Sequence, residues 1–396
     1  MSGVLSNPVY DARAVLDAIE AAGFDHKPAD WSSRLDLVDE ADVRRELSRP
    51  AHFELRRLLT LMSPAANRCL EDLAAASLKV TRQRFGNAIS LFAPLYVSNY
   101  CVNKCRYCGF NSGHPHRRKR LSLDDAMREA EVIHGEGFRD ILLVSGEDRE
   151  HIDVPYLAEL ARRLRAKNMF STVGIEIYIQ SEEGYRALFE AGVDGVTIFQ
   201  ETYEKNSYAS WHPGGPKAVY ADRICASEAA ARAGMRKIGL GVLLGLEDWR
   251  FDTAAMAVHA DAVAKNYWRA RTSFSFPRIR PSESGHEGDF PFVVSDRNLA
   301  HMIFALRLCF PDSGVTLSTR ELPAFRDNMI PLGVTQISAG SKTNPGGYAG
   351  EGGDGGEVAT EQFAVSDERS AAEMAEVLRS LGLDPVWKDW DSTFVA

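Results

Sequence analysis

Three of the chain's six cysteines fall within eight residues, in the run Cys101-Val-Asn-Lys-Cys105-Arg-Tyr-Cys108. Random scatter of six cysteines gives about 0.001 such triplets in a chain of this length. Thiols grouped this way suit a metal centre. A structural zinc usually takes four Cys or His ligands, and His114 and His116 are the nearby candidates for the fourth. Iron–sulfur clusters are held by thiolates, normally four. Three thiolates on a [4Fe–4S] cube leave one iron open to an outside ligand. Two further places carry unusual acids. Ser145-Gly146-Glu147 follows directly on an apolar run, and Glu176 lies inside the apolar string GIEIYIQ. An acid in such a strand is costly unless something pairs with it.

The elements that must position these groups alternate regularly. Apolar strands are predicted at 89–97, 140–145, 172–178, 195–199, 237–244, 272–276, 315–318 and 334–338. Helices are predicted between them at 124–135, 156–166, 182–191, 219–233, 253–264, 296–309 and 321–330, with Ser122 and Asp125 as the N-cap signal of the first. Regular βα alternation means parallel strands joined by right-handed crossovers. Eight units is the count that closes a (βα)8 TIM-type barrel. An open doubly wound sheet is the alternative. Both folds place chemistry at the C-terminal ends of the strands, and the cysteines follow the first strand.

The barrel is expected over residues 86–345. A helical extension precedes it over 1–85, with helices at 11–22, 41–47, 52–61 and 64–80, and is read as a cap or lid on the larger body. A short C-terminal extension covers 346–396. It opens on the glycine-rich run 346–356, contains a helix at 371–381 and has an aromatic tail at 387–390. The glycine run reads as a mobile surface loop. A phosphate cradle is disfavoured, because no Lys-Ser/Thr pair follows it.

Composition excludes several classes. Lys and Arg total 46 against 55 Asp and Glu, a net charge of -9, which disfavours a nucleic-acid surface. No stretch approaches the ~18 apolar residues of a membrane helix, and the first ten residues lack a secretory layout. Six cysteines in 396 residues are too few for a disulfide scaffold, so a reducing cytoplasm is expected.

The spacing CxxxCxxC, with Tyr107 just before the last cysteine, resembles the radical S-adenosylmethionine (SAM) superfamily. The resemblance implies that Cys101, Cys105 and Cys108 hold a [4Fe–4S] cluster whose open iron chelates the amino and carboxylate groups of SAM. Electron transfer from the cluster then cleaves SAM and releases a 5′-deoxyadenosyl radical. It implies that Tyr107 contacts adenine and that Glu176 binds the ribose hydroxyls. Ser145, Gly146 and Glu147 stand where the superfamily usually has Gly-Gly-Glu against the SAM amino group; Ser145 is the departure.

Longer strings resemble one subgroup, the tyrosine lyases of thiamine-thiazole biosynthesis. They are QETY (200–203), which contains Glu201, GLGVLLGLEDWR (239–250), SFPRIRP (275–281), LSTRE (317–321), SAGSKTNPGGY (338–348) and PVWKDWDS (385–392). The resemblance runs from about residue 80 onward. It implies cleavage of the Cα–Cβ bond of L-tyrosine to dehydroglycine (2-iminoacetate) and p-cresol, with 5′-deoxyadenosine and methionine formed. A thiazole synthase to receive the dehydroglycine and a reductant such as a flavodoxin are implied as partners. The related hydrogenase-maturation lyase carries a second cluster on C-terminal cysteines, and no cysteine follows Cys309 here. A tryptophan lyase is the neighbouring alternative.

By the same resemblance, Tyr96 lies near the substrate amine, Arg320 holds the substrate carboxylate and Ser338 assists it. Glu201 and Arg278 are placed with the SAM site, Arg278 and Arg280 as support. The basic run 116–120 is read as a solvated loop, or more sharply as a docking site for an acidic flavodoxin.

Overall fold

The computed structural model describes residues 7–115, 117–280, 290–350 and 359–388. Six helices come first: α1 (Ala14–Ala21), α2 (Trp31–Asp36), α3 (Glu40–Leu47), α4 (Leu55–Leu61), α5 (Pro64–Arg68) and α6 (Leu70–Phe85). The helix predicted at 64–80 is therefore two. Ser63 caps the first, Pro64 opens it, and Cys69 leaves helical geometry between them. The extension lies along one flank of the barrel: α1 packs on the helices Tyr220–Arg232 and Trp249–Asn266, α4 on Trp249–Asn266 and Asp296–Cys309, and α6 on Asp296–Cys309 and Pro323–Gly333. Its first residues reach the rim, where Tyr10 Oη donates to Gln180 O at 2.9 Å and Lys27 pairs with Glu247.

The barrel follows as β1 (Ala88–Ser98), α7 (Leu123–Gly135), β2 (Asp140–Ser145), α8 (Val154–Ala166), β3 (Thr172–Glu176), α9 (Glu182–Glu190) and β4 (Gly195–Glu201). It continues through α10 (Lys205–Trp211), α11 (Tyr220–Arg232), β5 (Lys237–Val242), α12 (Trp249–Asn266), β6 (Arg271–Ser275), α13 (Asp296–Cys309), β7 (Gly314–Leu317), α14 (Pro323–Gly333) and β8 (Gln336–Ser338). Neighbours pair in parallel all the way round, and β1 pairs with both β2 and β8. That closure decides for the barrel over the open sheet. Beyond it lie α15 (Ala371–Ser380) and β9 (Asp384–Val386), which lies parallel to the start of β1.

Strand periodicity decides which residues face the site. Leu91, Ala93 and Leu95 point outward into the layer between strands and helices, fully buried. Phe92, Pro94 and Tyr96 point into the lumen. The lumen set continues with Gly174 and Glu176, Thr197 and Phe199, Gly239, Ser273 and Ser275, Thr316 and Ser318, and Ser338. TIM barrels usually fill this space with bulky branched side chains. Here small and polar residues leave a cavity of about 160 Å³ that opens among Tyr96, Glu176 and Arg320.

The segment from residue 359 to 370 returns across this mouth. Asn99 Nδ2 donates to Thr360 O, Gln362 N to Thr343 O, and Ser366 N and Asp367 N both to Thr319 O. A fully buried ion pair, Arg326–Asp367, fastens it. Arg326 also donates to Ser338 O at 2.5 Å, so one guanidinium ties α14, β8 and the returning segment together.

Candidate active site

The cysteines occupy the loop that leaves β1. Gly146, at the end of β2, lets this loop pass: a Cβ there would overlap the Tyr100 carbonyl and crowd Cys101. Arg118 braces the loop from beneath, donating to the carbonyls of Asn99, Phe110 and Asn111. That work explains part of the basic run; His116 lies outside the described residues. None of the three thiols is in a disulfide. Burial pushes Cys101 up to about 11, with the charge of Cys108 adding to it. Burial also pushes Cys105 and Cys108 upward, while Lys217 opposes this at both.

Three dry, mutually repelling thiols are costly to ionise alone and favourable around a cationic core. Among the described residues, no three His, Cys, Asp or Glu side chains converge tightly enough for one metal ion. Three thiols on one loop are the donor set an iron–sulfur cluster takes, each at a different iron.

Beside the cysteines lies a pocket shaped by charge. Asn103 Nδ2 donates to Glu147 Oε2 at 2.6 Å. Glu147 Oε1 and Ser145 Oγ are buried with no hydrogen-bond partner among the described residues. Arg223 Nη1 stands 3.8 Å from Glu147. Glu201 sits at a β-bulge with φ 71°, a strained geometry of the kind that clusters at functional sites, and accepts from Lys217 Nζ at 2.5 Å. Tyr107 Oη donates to His212 Nε2 at 2.8 Å. His212 Nδ1 donates to Tyr208 O at 2.7 Å, and burial holds this imidazole neutral, well below its ordinary range. Orphaned carboxylate and hydroxyl oxygens beside two buried cations fit a ligand bearing an ammonium, a carboxylate and ribose hydroxyls, as SAM does.

Glu176 ends β3 and lines both this pocket and the lumen cavity. Burial raises it to about 7, and Arg320 opposes the rise. A carboxyl with a raised folded-state value is easiest to bury when protonated. Its presence therefore costs stability as pH rises from its ordinary 4.5 to about 7. We expect Glu176→Gln to raise the melting temperature of the ligand-free protein at pH 8 and to change it little at pH 4.5. Equal shifts at both values would show the carboxyl to be unperturbed.

The residues expected to hold the substrate meet at the same mouth. Tyr96 is 4% exposed; its Oη donates to Gln362 Oε1 at 2.7 Å. Ser338 Oγ accepts from Thr319 N at 3.1 Å, which leaves its own proton to donate. The Arg320 guanidinium lies 3.3 Å over the Phe363 ring and has no hydrogen-bond or ion-pair partner among the described residues. Arg278 is the expectation the geometry moves. Its guanidinium bonds Glu321, Asp296 and Val294 O outside the site, because Glu321 is buried and needs a cation. Arg280 also reaches Glu321, and lines the pocket beside Tyr107 and Cys108. Of the glycine run, Tyr348 N and Ala349 N are held by Glu129 at 2.8 Å each; residues 351–358 lie outside the described residues.

Sequence reasoning missed Asn103, Lys217, Arg223, His212, Gln362 and Phe363. Asn103 sits inside the cysteine run and was findable. Nothing local marks the others, which reach the site from separate elements.

Residues 95–257 match the Radical SAM superfamily and residues 275–384 the Biotin and Thiamin Synthesis associated domain. The 2-iminoacetate synthase of Salmonella typhimurium is 42% identical over 91% of this chain and 93% of its own. That of Escherichia coli is 41% identical over 92% and 95%. The chain belongs to the 2-iminoacetate synthase family. The fold of this synthase is also that of the FeFe-hydrogenase maturase HydG from Carboxydothermus hydrogenoformans, at 30% identity and a TM-score of 0.83 over 94% of this chain and 85% of that one.

Proposed function

We propose that this 2-iminoacetate synthase cleaves the Cα–Cβ bond of L-tyrosine to 2-iminoacetate and p-cresol, with 5′-deoxyadenosine and methionine as co-products. One observation carries the choice of an amino-acid substrate. The Arg320 guanidinium, which has no ion-pair partner among the described residues, and an acceptor-donor pair, Tyr96 and Ser338, face one cavity that adjoins the cysteine loop. An α-amino acid needs those groups for its carboxylate and ammonium.

When bound on Cys101, Cys105 and Cys108, a [4Fe–4S] cluster with SAM supplies the radical that takes hydrogen from the tyrosine amine. The chain's own residues do the rest. Glu147 and Ser145 offer acceptors to the SAM ammonium. Arg223 and Lys217 stand near its carboxylate, with Glu201 holding Lys217 in place. Tyr107 presents its ring to adenine, fixed by His212, and Glu176 meets the ribose. Arg320 grips the tyrosine carboxylate, and Tyr96 accepts from the amine. Phe363 and the returning segment exclude water, which matters because dehydroglycine hydrolyses.

That lability favours direct transfer to a thiazole synthase. A flavodoxin-type reductant fits the exposed Lys104, Arg106 and Arg117 around the cysteine loop. Among the described residues, no helix is long and apolar enough to cross a membrane, and cysteines outside any disulfide suit a cytoplasmic setting. Anaerobic incubation with SAM, dithionite and either tyrosine or tryptophan tests the substrate. We expect p-cresol, glyoxylate and ammonia from tyrosine. An indole product from tryptophan, with no p-cresol from tyrosine, overturns it.

A further inference from the structure

Gln362 is pinned on every side. Its N–H donates to Thr343 O at 3.1 Å, and its carbonyl accepts from Gly109 N at 3.1 Å. The packing against Gly109 is close: a Cβ there would lie 2.6 Å from the carbonyl oxygens of both Glu361 and Gln362. Glycine at 109 therefore lets the returning segment lie directly on the cysteine loop. The Gln362 side chain then spans two sites. Oε1 accepts from Tyr96 Oη at 2.7 Å, and Nε2 points at Cys108 Sγ from 3.9 Å. Tyr96 lines the lumen cavity, whereas Gln362 and Cys108 line the pocket on the SAM side.

A carboxamide has one donating end and one accepting end. A cysteine that ligates iron is a thiolate, which accepts and never donates. It selects the NH₂ end of Gln362, so Oε1 must face Tyr96. The Tyr96 proton is then committed to Gln362, and the remaining lone pairs of its oxygen face the cavity as acceptors only. The opposite amide orientation would set an oxygen against a thiolate.

We propose that Gln362 is a positioning residue that polarises Tyr96, fixing its hydroxyl as an acceptor for the substrate amine and linking that orientation to the cluster ligand Cys108. The inference rests on the reading of Tyr96 as the amine contact. The hydrogen bonds run in one direction: amine to Tyr96, Tyr96 to Gln362, Gln362 to the Cys108 sulfur. Without Gln362, the Tyr96 hydroxyl is free to turn its proton toward the cavity and meet an ammonium with the wrong polarity.

The experiment uses the reconstituted holoenzyme in five forms: wild type, Gln362→Leu, Gln362→Glu, Tyr96→Phe, and Tyr96→Phe combined with Gln362→Leu. Losing one oriented hydrogen bond corresponds to about tenfold, so Gln362→Leu should raise the KM for tyrosine by about that factor. It should also yield more 5′-deoxyadenosine than p-cresol, since SAM is cleaved beside a misplaced amine. Because Gln362 acts through Tyr96, adding Gln362→Leu to Tyr96→Phe should raise KM no further. Gln362→Glu keeps an acceptor for Tyr96 but puts negative charge beside Cys108. It should hold KM near wild type and lower the cluster's reduction potential, read by EPR-monitored titration.

An unchanged KM in Gln362→Leu, or a penalty that multiplies onto Tyr96→Phe, overturns the proposal. If Gln362→Leu takes up less iron than wild type, Gln362→Glu decides alone: a raised KM or an unmoved potential overturns it. A wild-type enzyme that forms no p-cresol from tyrosine would instead count against the substrate reading.

Discussion

Cys105→Ala yields a folded protein that forms no 5′-deoxyadenosine, and Cys101→Ala and Cys108→Ala do the same. A four-iron cube needs a ligand at each iron. This loop supplies three and SAM the fourth, so each alanine leaves an iron with neither. Iron content after anaerobic reconstitution should fall from about four per chain, the complement of a [4Fe–4S] cube. The other three cysteines serve as controls. Cys69, Cys225 and Cys309 are buried at 8%, 3% and 1% exposure within the hydrophobic core, away from the cysteine loop. Replacing them by alanine should cost some stability through lost packing and leave both iron and deoxyadenosine formation in place. Full cluster content in Cys105→Ala is the result that would refute the ligand set.

Arg320→Ala weakens tyrosine binding by at least about thirtyfold. Breaking one side of a buried charge pair costs ~2–5 kcal/mol, and ~1.4 kcal/mol is tenfold. The competing role, holding Glu321, is already filled: Arg278 and Arg280 both reach that carboxylate. Burial lowers Arg320 from its ordinary value, with Tyr96 and Glu176 opposing, so the cation is held in a place that needs an anion. Stacked over Phe363, its planar fork is presented to the cavity and can grip both carboxylate oxygens. The variant should retain its cluster, bind SAM and cleave it at the slow tyrosine-independent rate. Loss of the cluster, with normal tyrosine binding in whatever fraction loads, would make Arg320 a structural residue.

The barrel was legible because its signals are local and repeated. Outward-facing apolar residues alternate with lumen residues along every strand, and helices carry clear caps such as Ser122 with Asp125 and Ser370 with Glu373. The positions of the cysteines and of Tyr96, Glu147, Glu176 and Ser338 around the barrel mouth could be read for the same reason, since strand ends are where barrels keep their chemistry; their roles rest on the proposed function. Short elements were not. α10 buries only Tyr208, and β9 has three residues including Pro385, tolerated there as an edge strand. Arg278 was misplaced because two arginines two apart look alike in sequence. Both reach the buried Glu321; Arg278 turns further away to Asp296 and Val294 O, whereas Arg280 donates to Arg320 O and lines the pocket beside Cys108. Gln362 and Phe363 were invisible because their neighbours in space, Cys108, Tyr96 and Arg320, lie between 42 and 266 residues away along the chain.

That separation sets an order of assembly. Synthesis proceeds from the N-terminus, and β1 meets its closing partner β8 once Ser338 has emerged. The walls and the three thiols then exist before the segment that seals the mouth. For that interval the cysteine loop lacks the cover that Gln362 later lays over Gly109 and Cys108. The Arg326–Asp367 pair then latches the segment down. The segment that covers the mouth is thus the last part of the site to leave the ribosome.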